Sequence, residues 1–169
     1  MDRITGAVGV KETRAQTAPG VSYALARLHQ RVLEGISERV GPHGLTTLQF
    51  TTLSILSRHG APLSTSQLAR RAFMTPQSMS EVTHALERKG LIERNPDPNH
   101  RRTLPATLTT KGRGVLAACE DAVSEFEDSM LEGFAETDRA VFLDMVKAAV
   151  RNLGGGFPSD ETPSAARGA

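Results

Sequence analysis

Apolar residues recur every three or four positions in several stretches of the chain, which is the spacing of one buried face of an α-helix. The first stretch predicts a helix over residues 21–40, which the turn-forming residues 41–44 end. A second stretch predicts a helix that ends near Ser57, before Gly60. The two apolar stripes are Val21, Leu25, Leu28, Val32, Ile36 and Val40, and then Leu48, Phe50, Leu53 and Leu56.

Helix starts are marked by polar residues whose side chains can cap exposed backbone N–H groups. Thr46 followed by Gln49, and Ser64 followed by Gln67, both have the spacing of a capping box. The second box opens a short helix, whose inward-facing residues are Leu68, Ala69 and Ala72. A short helix, a tight turn and a further helix therefore follow one another, which is the order of a helix-turn-helix.

The helix after that turn has both ends marked. Thr75 suits its N-cap, Pro76 its first position, and Gly90 the left-handed residue past its end. Its apolar stripe is Met79, Val82, Ala85 and Leu86. Its opposite face is polar and consists of Gln77, Ser78, Ser80, Glu81, Thr83, His84 and Arg88. An ordinary solvated face has this composition, and so does a helix that reads donors and acceptors in a DNA major groove.

A strand over residues 91–94, a turn-rich stretch over 95–99 and a returning strand predict a β-hairpin. The returning strand has apolar residues at alternate positions, namely Leu104, Ala106 and Leu108. Pro105 within it argues for an edge strand. Arg101 and Arg102 lie near the tip of the hairpin. Because a two-stranded hairpin needs a helix to pack on, the hairpin and the helix-turn-helix together predict a winged helix.

Two further helices follow, for which Thr109 and Thr137 are the predicted N-caps. The first stripe consists of Val115, Leu116, Cys119, Ala122, Val123, Phe126 and Met130, continued by Phe134; the second consists of Val141, Met145, Ala149, Val150 and Leu153. A small winged helix cannot cover stripes of this width at both ends of the chain. An uncovered apolar stripe implies a partner surface, so the sequence predicts a homodimer built from the terminal helices.

The fold class that follows is mainly α, with a winged helix-turn-helix core flanked by long terminal helices. The expected organisation has flexible tails at 1–20 and 154–169 around one domain at 21–153, in which the winged helix spans about 45–110 and the dimerisation helices about 21–40 and 109–153. With 169 residues the chain is long enough for one domain with a substantial core.

Charge is unevenly distributed along the chain. Residues 61–112 hold eight basic and four acidic residues, whereas residues 113–153 hold four basic and nine acidic ones. A basic middle beside an acidic C-terminal part suits a protein that offers one face to phosphates. No apolar run is long enough to span a bilayer, and residues 1–10 lack a hydrophobic signal core. We therefore expect a cytoplasmic protein that does not bind membranes.

The order of these elements and their residues resembles the MarR family of bacterial winged-helix regulators. The resemblance covers residues 21–153, and it rests on the following stretches: Gly44, Leu45 and Thr46 with Gln49, Phe50 and Leu53; Leu68 and Ala69; residues 86–92, which read Leu-Glu-Arg-Lys-Gly-Leu-Ile; Arg101 and Arg102; and Leu108 and Thr109 with Lys111 and Gly112. It implies a homodimeric repressor with two recognition helices in successive major grooves of a pseudo-palindromic operator. It also implies release by a small ligand, for which the family suggests aromatic or phenolic acids.

The resemblance also assigns residues to double-stranded DNA. The expected DNA-binding set is Ser64, Thr65, Ser66, Thr75, Gln77, Ser78, Ser80, Glu81, His84, Arg88, Arg101 and Arg102. Arg102 matches the wing arginine that reaches the minor groove, with Arg101 beside it. Two positions depart from the usual family pattern, because His100 stands where an Asp braces that arginine and Glu81 stands where a basic residue is common. A carboxylate at the second position can accept a hydrogen bond from a cytosine amino group.

Other functions find less support in the sequence. The chain has no nucleophile elbow, Walker loop or dinucleotide fingerprint, and its five histidines are scattered, so no catalysis, cofactor or metal site is predicted. Cys119 lies on an apolar stripe, which favours a structural thiol over an oxidant sensor. A redox- or metal-responsive regulator, and a winged helix that binds an acidic protein partner, remain the alternatives.

Overall fold

A computed structural model describes residues 20–96 and 104–156, and in these ranges the chain forms six α-helices and a two-stranded antiparallel sheet. The elements are α1 (Val21–Val40), α2 (Thr47–His59), α3 (Thr65–Arg71), α4 (Pro76–Arg88), β1 (Ile92–Arg94), β2 (Ala106–Leu108), α5 (Thr110–Met130) and α6 (Glu136–Asn152). Most of both predicted tails and the predicted tip of the hairpin, with His100, Arg101 and Arg102, lie outside the described residues.

The core lies beneath α4, between α2, α3, the hairpin and the first half of α5. Met79 and Leu86 of α4 are fully buried there. Their neighbours in the same buried cluster include Leu53, Leu63, Leu68, Ile92, Ala106, Leu116 and Cys119. Because each large apolar side chain contributes roughly 1.5–3 kcal/mol when it leaves water, this cluster fixes which face of α4 points inward. The prediction of a winged helix is confirmed.

Four helices begin at the caps that the sequence predicts. The hydroxyl groups of Thr46, Ser64, Thr75 and Thr109 each accept a hydrogen bond from the backbone N–H three residues later, at 3.0–3.3 Å. The reciprocal bonds of both capping boxes are also present. Each cap satisfies one of the N–H groups that a helix start leaves without a partner.

The predicted cap of α6 is wrong. Ala135 is the N-cap residue, it makes no side-chain capping bond, and Thr137 lies within the first turn. Glu136 and Asp138 occupy the same turn. Their negative charges interact favourably with the positive end of the helix dipole, and this can replace the missing hydroxyl cap.

The hairpin differs from its prediction at the returning strand. Glu93 of β1 lies opposite Thr107 of β2, and on the other edge of β2 the backbones of Ala106 and Leu63 exchange two hydrogen bonds of 2.8 and 3.1 Å. Apart from this single bridge, β2 lies at the edge of a two-stranded sheet, as the edge-strand prediction has it. The strand begins only after Pro105, where the missing N–H removes no bond of the ladder. Leu104 is outside the strand and exposed.

The long helices extend beyond the winged helix with apolar faces uncovered. α1 crosses α5 closely, because Gly35 leaves room for the ring of Phe126, over which the guanidinium of Arg39 lies at 5.1 Å. The start of α1 and the whole of α6 are different. Val21 is 76% exposed, and no residue of α6 is buried. Among the described helices, none is long and apolar enough to cross a membrane.

The base of the wing rests on α5 through a glycine. A Cβ atom at Gly112 would meet the carbonyl oxygen of Leu91 at 1.9 Å, a contact with backbone that no rotamer change relieves. Gly112→Ala should therefore lower the free energy of unfolding by about 2 kcal/mol or more. Urea unfolding followed by circular dichroism measures this.

Gly114, two residues further along α5, is the matched control for Gly112→Ala. A Cβ atom there would meet no other atom within 4 Å. Gly114→Ala should stabilise the protein by roughly 0.5–1 kcal/mol, because alanine loses less conformational entropy in a helix. Equal effects of the two substitutions would contradict the close packing of α5 on Leu91.

Candidate nucleic-acid interface

A row of polar side chains runs along the outer face of α4. Gln77, Glu81, His84 and Arg88 follow one another at intervals of four, three and four residues, and all four are exposed. This spacing places them on one side of the helix. Among the described residues, the side chains of Gln77, Glu81 and Arg88 have no hydrogen-bond or ion-pair partner. We call these four residues the polar stripe, and its tips are available to another molecule.

Hydroxyl groups cover the start of α4. Thr75 is exposed and caps the helix, and its hydroxyl lies 2.9 Å from that of Ser78. Hydroxyl groups can both donate and accept, so this pair keeps capacity for a further bond. The start of α3 is similar. Ser64 is engaged in the capping box with Gln67, while Ser66 is exposed in the first turn.

In the middle of α4, one residue predicted on the polar face is buried, and the bonding of a neighbouring histidine defines its tautomer. Thr83, predicted on the polar face, is fully buried, and its hydroxyl donates to the carbonyl oxygen of Ser80 at 3.0 Å. It is four residues after Met79 and three before Leu86, so it lies on their buried face. The ring nitrogen Nδ1 of His84 lies 2.7 Å from the same carbonyl. Because a carbonyl oxygen only accepts, Nδ1 carries the proton and Nε2 is left for another partner.

Lys89 follows Arg88 but serves a different purpose. Its Nζ atom donates to the carbonyl oxygen of Gly44 and to Oε1 of Gln49, both at 2.7 Å. Its own carbonyl oxygen accepts a bond of 2.9 Å from Nζ of Lys111. Lys89 therefore ties the end of α4 to the junction of α1 and α2 on one side and to α5 on the other. No local sequence signal indicates these partners, since they lie up to 45 residues away.

A second connection joins α4 to the wing. Oε2 of Glu87 accepts from Nε and Nη2 of Arg94 in β1, and the side chain of Arg94 is largely buried. These hydrogen bonds from Arg94, opposed in part by burial, hold the pKa of Glu87 below its ordinary value. The ion pair between Glu87 and Arg94 connects α4 to the start of the hairpin and restrains the angle between them.

Several basic side chains of residues 61–112 are bonded within the protein, which reduces the positive charge available to a ligand. Lys89, Arg94 and Lys111 are each engaged with the protein itself. The side chains of Arg70 and Arg88 are exposed and make no hydrogen bond or ion pair within the described ranges. Arg101 and Arg102 fall outside those ranges, so their placement at the wing tip stays a prediction. The charge available to a ligand is thus smaller and more localised than the count suggests.

The alternatives that the sequence left open gain no support from the described residues. Cys119 is fully buried, as its apolar stripe predicts, and burial followed by the charge of Glu120 raises the pKa of its thiol. A raised pKa disfavours the thiolate that an oxidant sensor needs. Residues 20–96 and 104–156 hold no cluster of three or more His, Cys, Asp or Glu side chains that could bind a metal ion.

The fold and the polar stripe define a winged helix-turn-helix protein with the DNA-binding architecture of transcription regulators. Its folded part superimposes on a transcriptional repressor, CouR, solved bound to a 23-mer DNA duplex, with a TM-score of 0.71 and 30% identity over 78% of this chain and 93% of CouR. It also superimposes on Rv2887 of Mycobacterium tuberculosis in complex with salicylic acid, with a TM-score of 0.65 and 31% identity over 80% of this chain and 99% of that one.

Sequence comparison agrees with the fold. The HTH-type transcriptional repressor Rv2887 is 33% identical to this chain over 133 residues, which are 79% of this chain and 94% of the relative. A model of the MarR family matches residues 43–103. The chain belongs to the MarR family. This confirms the family that the residue pattern indicates.

The bond between Glu87 and Arg94 predicts a pH dependence of stability. Because the pKa of Glu87 is lowered in the folded state, its contribution is complete above the ordinary value of 4.5 and is lost as the pH falls through the lowered value. The loss of stability caused by Glu87→Gln should therefore be greatest near neutral pH and shrink in acid. Urea unfolding across this pH range measures it, with Glu81→Gln on the same helix as control. A difference that does not vary with pH would refute the assignment.

Proposed function

We propose that this protein is a homodimeric transcriptional repressor that binds a pseudo-palindromic DNA operator and leaves it when a small acid binds. The observation that carries the proposal is the polar stripe of α4, which stands exposed on a winged helix similar to that of a DNA-bound repressor. A helix of this kind fits the major groove, where base edges offer patterns of donors and acceptors.

The surroundings of the stripe support a contact with DNA. The starts of α3 and α4, with Ser66 and Thr75 exposed, present hydroxyl and backbone N–H groups of the kind that contact phosphates. Arg101 and Arg102, which follow β1 in the chain, would extend the contact to the minor groove. Residues 113–153, which include most of α5 and all of α6, hold nine of the 19 acidic residues and lie beyond the elements that would approach the duplex. This separation of charge directs one face of the protein to the phosphates.

A twofold dimer would cover the apolar faces of the terminal helices. Val141, Leu143 and Met145 of α6 are each at least half exposed in the single chain. Val21 and Tyr23 of α1 are more exposed than Val141 and Leu143. Water contact with this much apolar surface is unfavourable by about 25 cal/mol per Å². Two copies joined by these helices would present two α4 helices to successive major grooves, about 34 Å apart.

A cleft in the structure and a relative solved with a bound ligand support a small acid as the effector. The cleft has a volume of about 330 Å³ and lies between the end of α2, β2 and the first turn of α5. Leu56, Pro62 and Leu108 form apolar walls, and Arg113, whose guanidinium donates to the carbonyl oxygen of Leu108 at 2.8 Å, supplies a cation. Such a lining suits a small acid with an apolar body, and Rv2887 has been solved with salicylic acid. Binding that differs between the DNA-bound and free arrangements would weaken DNA binding by that difference.

Gel shift with the DNA around its own gene, alongside random DNA, tests the proposed function as a whole. We expect two chains on each operator, an affinity that falls steeply with salt, and release when salicylic acid is added. Sedimentation gives the oligomeric state without DNA. A monomer, or a protein that binds no DNA even at low salt, would refute the proposal. If the protein binds no DNA but captures an acidic protein, the winged helix would instead be a protein-binding module.

Two neighbouring residues give a sharper test of the interface. Arg88→Ala should weaken binding to all sequences and lower the salt slope by about one unit for one lost phosphate contact. Lys89→Met removes the same charge from the next position, yet it should leave the slope unchanged, because Nζ of Lys89 is bonded to Gly44 and Gln49. Fluorescence anisotropy at several salt concentrations measures both slopes. A slope lowered equally by both variants would refute this orientation of α4.

A further inference from the structure

The centre of the polar stripe offers acceptors and no donor. The carboxylate of Glu81 can only accept hydrogen bonds when it is ionised. Three residues later, Nδ1 of His84 is 2.7 Å from the carbonyl oxygen of Ser80, and the hydroxyl of Ser80 is 3.4 Å from the same nitrogen. The opposite tautomer would set two lone pairs against each other at 2.7 Å. In the neutral ring, Nε2 of His84 is therefore an acceptor.

The part of the stripe from Gln77 to His84 also has a length that matches DNA. Seven residues separate Gln77 from His84, and at 1.5 Å per residue they span about 10 Å of helix. Stacked bases are 3.4 Å apart along one strand, so this distance corresponds to roughly three base pairs. Gln77 carries both donors and an acceptor, as a bidentate partner of adenine does. Glu81 and His84 follow it with acceptors alone.

Base edges differ in what they offer to an acceptor. In the major groove cytosine presents an amino donor, adenine an amino donor beside an acceptor, and guanine and thymine present carbonyl acceptors. A carboxylate or an Nε2 lone pair facing a carbonyl oxygen would leave both atoms without a partner, which is unfavourable in a desolvated interface. Glu81 pairs best with cytosine, because adenine places an acceptor beside its amino group.

We propose that Glu81 and His84 act together as an acceptor pair that specifies amino-bearing bases at two adjacent positions of each operator half-site. The base facing Glu81 is cytosine, and the base facing His84 is cytosine or adenine. The inference rests on the proposed function, since it takes α4 to lie in the major groove. Ser80 is a positioning residue in this arrangement, because its carbonyl oxygen holds the proton of His84 on the nitrogen away from the bases.

Selection of bound sequences from a random DNA pool at mildly alkaline pH tests the inference. The selected operator should then be assayed with every single base-pair change in one half-site, against the native protein and two variants. Glu81→Gln, which adds a donor, should reduce the preference for cytosine and admit adenine. His84→Ala should abolish discrimination at the adjacent position only. Each native preference should be roughly five- to hundredfold.

Arg88→Ala is the matched control, because it removes a side chain from the same stripe and should weaken all sequences alike. Glu81 and His84 are both exposed, so their substitution leaves the core intact, and circular dichroism checks this. An A·T pair preferred by the native protein at the position that responds to Glu81→Gln, or preferences that neither variant alters, would overturn the inference while DNA binding stands. A native protein that selects no sequence and binds no DNA would instead remove the proposed function.

Discussion

The ammonium group of Lys89, held between the carbonyl oxygen of Gly44 and the side-chain oxygen of Gln49, anchors the end of α4 to the junction of α1 and α2. Charge-assisted bonds of this kind are stronger than neutral ones. In the same helix, Met79 and Leu86 are fixed in the core. With one face buried and one end anchored, only the polar stripe remains free, and its direction is set by the body of the protein.

The anchorage also connects α4 to the elements that would form the dimer. Gly44 lies at the junction of α1 and α2, while Lys111 of α5 donates to the carbonyl oxygen of Lys89. Gly112 brings α5 against the backbone of Leu91. The orientation of α4 therefore depends on how α1 and α5 lie relative to each other. In the proposed dimer, these bonds would transmit a shift of the long helices to the two α4 helices.

Charge illustrates why counting residues is a weak guide to an interface. Residues 61–112 include twice as many basic as acidic residues. However, the charged groups of Lys89, Arg94 and Lys111 are bonded within the protein. Arg88 and Lys89 are both exposed and lie about 100° apart around the helix, but within the described residues only the side chain of Lys89 has bonding partners. What reaches a ligand depends on this angular placement, which the net charge of a segment does not contain.

The sequence by itself determined the helices, four of their caps, the hairpin and the family. These features depend on spacings of three to four residues, or on alternation, and neighbours in the chain set them. It did not determine that Thr83 is buried, that Ala135 rather than Thr137 precedes α6, or that Leu63 pairs with β2. Nor did it reveal the partners of Lys89. Those features depend on residues brought together from distant parts of the chain, and only packing of the whole tertiary structure decides which of them meet.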